Sequence, residues 1–197
     1  KGTSDEKGPA VSSGQIRQTA CAPIRRSEKS RAFEAAWRGI PATGFIPDKT
    51  AFRAEHFAPF LNDIYLIELH DDRERRLLFR IAGQAIREAL GLELKGQNYI
   101  DFVPPEDRER SGLSMRLMFG ARPCGRWVGK QIVHTDGFRQ PIELTQFPMM
   151  DADGGTRLVI GIAEGFATAL EHEAGGEFRF ESHEAECFID IGAGVPD

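Results

Sequence analysis

Apolar positions recur along this chain at two spacings, and each change of spacing marks a new element. Phe33, Ala36, Trp37 and Ile40 fall at i, i+3, i+4 and i+7, one stripe of an amphipathic helix. Ser27 or Ser30 can cap its start, and Gly39 with Pro41 ends it. Prolines 41, 47 and 59 then alternate with Phe45, Phe52, Phe57 and Phe60, a connector that packs its rings inward. Ile64 to Leu69 is apolar on both faces, as in a strand covered on both sides, and Leu77 to Ile81 returns beside it after a polar turn. Helical spacing resumes at Ala85, Ile86, Ala89 and Leu90, with Gly91 as the stop. Pro104-Pro105-Glu106-Asp107 opens a further helix, since proline tolerates the first turn and acidic side chains suit the positive helix end. Leu113, Leu117 and Met118 are its expected buried stripe. Three strands follow, Arg126 to His134, Phe138 to Phe147 and Arg157 to Ala163, with Asp-Gly turns between them. Strands on either side of one helical block imply an antiparallel sheet with helices on one face, an α+β fold.

Composition narrows the function classes. Fourteen Phe in 197 residues, within a 41% hydrophobic total, suffice for a core, and no apolar run approaches the roughly 18–20 residues of a membrane span. The start shows no basic-then-apolar leader. A net charge of −5, and a densest basic stretch (Arg73 to Arg80) interrupted by Glu74, argue against holding nucleic acid. Cys21, Cys124 and Cys187 are odd in number and far apart, which speaks against a disulfide framework and fits a reducing cytoplasm.

The order of two strands, a helical block and three strands resembles a PAS domain. Lys95-Gly96-Gln97-Asn98-Tyr99-Ile100-Asp101-Phe102-Val103-Pro104-Pro105-Glu106-Asp107-Arg108 is similar to the connector of that family, in which a Gly precedes an apolar-Pro-acidic pair. Phe79-Arg80-Ile81-Ala82-Gly83 and Gly91 resemble its second strand and its helix-ending Gly. The proline- and Phe-rich approach to Ile64 is similar to that of small stand-alone bacterial PAS proteins. The resemblance implies a five-stranded antiparallel sheet of order 2-1-5-4-3, short helices on one face, and a sensory or protein-contact role, often as a dimer. It divides the chain into a flexible arm (1–26), an amphipathic helix with its connector (27–44), a PAS domain (45–166) and an acidic extension (167–197). In that extension Phe178 with Phe180, and Phe188 with Ile189 and Ile191, either form two short strands or stay disordered.

Chemistry is sparse in this reading. Flavin-binding relatives carry an Asn-Cys pair in the connector; here Asn98 is followed by Tyr99, so the sulfur of a flavin adduct is missing. Haem-binding relatives place a His in the helical block, and residues 83–123 contain none; His70 and His134 sit at strand ends and read as ordinary residues. The expectation is therefore no cofactor and no metal. Gly175-Gly176-Glu177-Phe178 resembles the diguanylate cyclase signature, but too little chain follows it to build that domain. Asp151-Ala152-Asp153-Gly154 lacks the closing Glu of a calcium loop and reads as a hairpin turn. No nucleotide phosphate loop or nucleophile elbow occurs, so no catalysis is expected.

A cavity between sheet and helices remains. Tyr99, Phe102, Met115, Phe119 and Trp127 are its candidate lining, with Arg80 or Gln131 as a polar anchor, though strand alternation sets Arg80 opposite Phe79 and Ile81. Phe33, Trp37 and Ile40 either cover the outer sheet face or form a homodimer interface. The expected function is a non-catalytic sensory or signalling module of bacterial regulation that binds a small molecule in its core or makes dimer or partner contacts. The alternative is a ligand-free interaction adaptor.

Overall fold

The structure, a computed structural model, describes residues 25–166, 178–181 and 185–196. Cys21, most of the expected N-terminal arm and Gly175-Gly176-Glu177 lie outside the described residues.

Helix α1 (Glu28–Arg38) starts where Ser27 caps it, its Oγ accepting from Ser30 N at 2.9 Å. Strands β1 (Ile64–Leu69) and β2 (Leu77–Ala82) form a hairpin with a register shift between Leu66 and Ile67. Helix α2 (Gln84–Leu90) ends at Gly91, whose φ of 65° is the left-handed conformation that glycine adopts without a Cβ clash. Two 3-10 turns, Tyr99–Phe102 and Pro105–Asp107, lead into helix α3 (Arg108–Leu117). Then come β3 (Cys124–His134), β4 (Arg139–Met150), β5 (Arg157–Glu164), β6 (Phe178–Phe180) and β7 (Ala185–Asp190).

These strands make one antiparallel sheet in the order β2-β1-β5-β4-β3-β6, with β7 also paired to β3. The first five follow the order 2-1-5-4-3 that the resemblance implies. Phe178, Phe180 and Phe188 do lie on strands: β6 pairs with Ile132–His134, and β7 runs along Cys124–Gly129. The acidic extension thus adds to the sheet at the outer edge of β3.

Alternation along the strands sorts side chains onto two faces. Leu158, Ile160 and Ile162 of β5 point to the face covered by α1, together with Phe147 and Met149 of β4. Val159 and Ala163, with Ile142 and Leu144, point to the face covered by α2, the connector and α3. On the α1 side, Phe33, Trp37 and Ile40 are buried. The Trp37 ring stacks on Phe147 with centroids 4.8 Å apart, and its Nε1 donates to the Pro148 carbonyl at 3.1 Å. The helix start is tied to two strand carboxylates, Ser27 N donating to Glu143 at 3.2 Å and Ser27 Oγ to Glu164 at 2.6 Å. This corrects the dimer-interface expectation for Phe33, Trp37 and Ile40: the chain's own sheet already covers the stripe.

Two further expectations are corrected. Helix α3 packs Leu117 on the core and is followed by the fully buried Met118, as expected, but Leu113 is exposed and Ser111, Ser114 and Met115 are buried in its place. The buried face includes Ser111 because a buried strand cation requires an acceptor there, as described below. Cys187 is disulfide-bonded, against the expectation from cysteine spacing; distance along a chain does not measure distance in the fold. Cys124 is free and buried. No helix among the described residues is long and apolar enough to cross a membrane.

Candidate functional site

A cavity of about 40 Å³ lies between the sheet and its helical cover, lined chiefly by aromatic and aliphatic side chains. Tyr65 of β1 and Phe79 of β2 supply one wall. Tyr65 lies flat over Gly161 of β5, where a Cβ would come within 2.6 Å of the ring, so this wall requires a glycine opposite. Tyr99 and Phe102 come from the first 3-10 turn. That turn is held to β2 by Asn98, whose Oδ1 accepts from Leu77 N at 3.1 Å. Phe180 of β6 and Lys130 of β3 close the far side.

Lys130 is the unusual member. It is only 4% exposed, and its ammonium sits 4.4 Å from the centroid of the Phe180 ring. A ring face attracts a cation but offers no lone pair for the three N–H donors. Burial, reinforced by Arg126 and opposed by Asp107, pushes the Lys130 pKa down to about 8. Tyr99 Oη is also buried, with no hydrogen bond of good geometry, and lies close enough to the Arg126 guanidinium to favour its charge.

Arg126 is fully buried and fully engaged. Its Nη1 donates to Gln146 Oε1 at 2.7 Å, Nη2 to Ser111 Oγ at 3.2 Å and Nε to Glu186 Oε1 at 2.5 Å. Burial alone would disfavour its charge, but the Glu186 carboxylate outweighs that and raises the pKa. Gln146 Nε2 in turn donates to Tyr65 Oη at 2.8 Å, and burial pushes the Tyr65 phenol up. On the other side Arg110 lies 3.5 Å from Glu186 and donates to Asp107 Oδ1 at 2.7 Å. The cluster therefore sets three cations, Arg126, Lys130 and Arg110, against two carboxylates.

Of the residues singled out from sequence, Tyr99 and Phe102 line the cavity. Met115 is buried in the same core, and Phe119 packs on its margin. Trp127 and Gln131 are corrected. They share the strand parity opposite to Val128 and Ile132, which places them on the α1 side, where Trp127 Nε1 donates to Glu143 at 2.8 Å. Arg80 is exposed and pairs with Glu68 at 3.0 Å, so it is no cavity anchor. The polar residues that do face the cavity side are Lys130 and Arg126, one strand position from those named. Val128 and Ile132 carried the signal: cations at i±2 from core residues of one strand share their face. His70 pairs with Glu68 at 2.9 Å, and His134 is buried against Phe138. Asp153 Oδ1 accepts from Gly155 N and Thr156 N, closing the β4–β5 hairpin turn.

Comparison with curated proteins found no match. Among solved structures the chain is similar to a light-oxygen-voltage domain studied with a flavin analogue, at 14% identity and a TM-score of 0.40, covering 59% of this chain and 89% of that one. It is similar to the photo-excited blue-light photoreceptor Vivid at 16% identity and a TM-score of 0.37, covering 72% and 97%. An RNA-binding light-oxygen-voltage receptor is similar at 16% identity and a TM-score of 0.36, covering 68% and 38%. The first of these corrects the expectation that set flavin aside. Tyr99 in place of a cysteine bears on adduct formation, not on whether a flavin is held. At the present cavity volume, a three-ring flavin would enter only with displacement of rings such as Phe79, Phe102 or Phe180. The family model for a PAS domain matches residues 25–164, which include α1, the connector and all five strands of the 2-1-5-4-3 order. With that match spanning well over half its length, the chain belongs to the PAS domain family.

Proposed function

We propose that this chain is a non-catalytic sensory module that takes a small molecule between its sheet and helical cover and relays occupancy to a partner. The observation that carries this reading is a cavity with almost wholly apolar walls, bordered by the buried Lys130 and by Tyr99, whose hydroxyl is buried without a hydrogen-bond partner. Ligand sites have this composition: mostly apolar lining with a few convergent polar groups. A core built only for stability would not leave the Tyr99 hydroxyl unsatisfied, because such a group costs about 1–3 kcal/mol.

The test is thermal unfolding of the purified chain against short alcohols, amides, carboxylates and flavin mononucleotide. A ligand that binds only the native state raises Tm in a saturable way. Ala163 lies on the cavity wall and is 2% exposed, so Ala163→Leu fills the space. The expected result is a saturable rise for some probe, abolished in Ala163→Leu at retained circular dichroism. If no probe raises Tm, or if the rise is equal in the filled variant, the sensory reading fails.

A further inference from the structure

We infer that the cavity takes a small neutral apolar molecule of about three to four heavy atoms, such as a short hydrocarbon, and excludes ligands with a charged or strongly hydrogen-bonding head. The inference rests on the sensory reading above and names the chemical class of its ligand.

Three of the lining residues end in polar groups, yet the wall they help to build is almost wholly carbon. The Tyr65 hydroxyl accepts from Gln146 Nε2 at 2.8 Å. The Tyr99 hydroxyl lies beside the Arg126 guanidinium. The Lys130 ammonium sits 4.4 Å from the centroid of the Phe180 ring, under the influence of Arg126 and Asp107. These side chains therefore give the cavity two ring surfaces and an alkyl stem, alongside Phe79, Phe102 and Ala163.

Polar occupants fail on such a wall. A water needs two to four hydrogen-bond partners, and the lining offers almost none. A carboxylate, an ammonium or an amide would give up its hydration with nothing to replace it. An alcohol of the right size would bury its hydroxyl unpaired. An apolar molecule surrenders no hydrogen bond on leaving water, and it gains dispersion contacts with rings and aliphatic groups on several sides. Size sets the upper limit. At roughly 10–15 Å³ for a water, a cavity of about 40 Å³ holds about three to four such volumes.

The experiment is methyl NMR titration of the whole chain with cyclopropane, ethanol and acetate, read on Ile86, Ile142 and Leu144, which line the cavity. Cyclopropane should shift these methyl groups saturably and bind roughly tenfold or more tighter than ethanol, the penalty for an unpaired buried hydroxyl. Acetate should leave them unmoved. Ile142→Val and Ile142→Thr share a shape and differ by a methyl against a hydroxyl. The preference for cyclopropane over ethanol should persist in Ile142→Val and fall several-fold in Ile142→Thr. If wild type binds ethanol as tightly as cyclopropane, or acetate saturably, a ligand site stands and the apolar class is overturned. An equal preference in the two variants overturns it as well, because the bound molecule would not touch this wall. Should Ile142→Thr not fold, Ala163→Leu decides: it must abolish the cyclopropane shifts, and retained shifts overturn the inference. If none of the three probes binds, the sensory reading falls and the inference goes with it.

Discussion

A lysine held 96% out of water is a standing cost to the fold, and its sign can be worked out. The Lys130 pKa drops from an ordinary 10.5 to about 8 in the folded chain. Between those values the unfolded chain binds a proton that the native state has released, so stability should rise with pH across that window. Below it the buried ammonium costs the native state roughly 3 kcal/mol, at about 1.4 kcal/mol per pKa unit. Lys130→Met should therefore stabilise the unliganded protein at pH 7 by up to about that amount and remove the alkaline rise. Urea unfolding from pH 7 to 10.5 measures both. Unaltered curves in the variant would mean that the ammonium is solvated after all.

Among the elements, α1 shows how a local pattern can be sufficient. The spacing of Phe33, Trp37 and Ile40 fixes both a helix and the side it buries, and the sheet supplies the partner. Trp37→Ala removes a ring stacked on Phe147 and the donor to Pro148, and should cost about 3–5 kcal/mol in denaturant unfolding. A loss below 1 kcal/mol would show that the helix is not docked as described. The order of β1 to β5 and the stop at Gly91 were legible for the same reason: periodicity and turn residues are local. The parity of β3 was legible too, but not which parity meets the helical layer, so Trp127 and Gln131 were expected where Lys130 and Arg126 lie. Helix α3 keeps Leu117 and Met118 on its core side and departs from its apolar pattern at Leu113. Leu113 looked like core by hydrophobicity, yet the helix turns Ser111 inward because Arg126, from a strand 15 residues on, needs its hydroxyl. A demand set by a distant residue leaves no trace in a local pattern. The pairing of β6 and β7 to β3 is likewise non-local, although their apolar alternation suggested strands.

Over the whole molecule, one hydrogen-bonded chain runs from Tyr65 of β1 through Gln146 and Arg126 to Glu186 of β7. Breaking it from one end should be far worse than removing both partners. Glu186→Leu leaves a buried guanidinium without its carboxylate and should cost about 3–5 kcal/mol, whereas Arg126→Met with Glu186→Leu should recover most of the loss. A double-mutant cycle by urea unfolding reads the coupling, and additive losses would sink the idea that the pair acts as a unit. The same carboxylate has a practical corollary. The family match stops at residue 164, while the counter-ion for Arg126 and the strand alongside Cys124–Gly129 are supplied after residue 184. Expression boundaries drawn at the match would strip a cation deep in the interior and leave a bare sheet margin, the kind that invites precipitation. The portion that neutralises its own buried charge is longer than the portion by which its kinship is recognised.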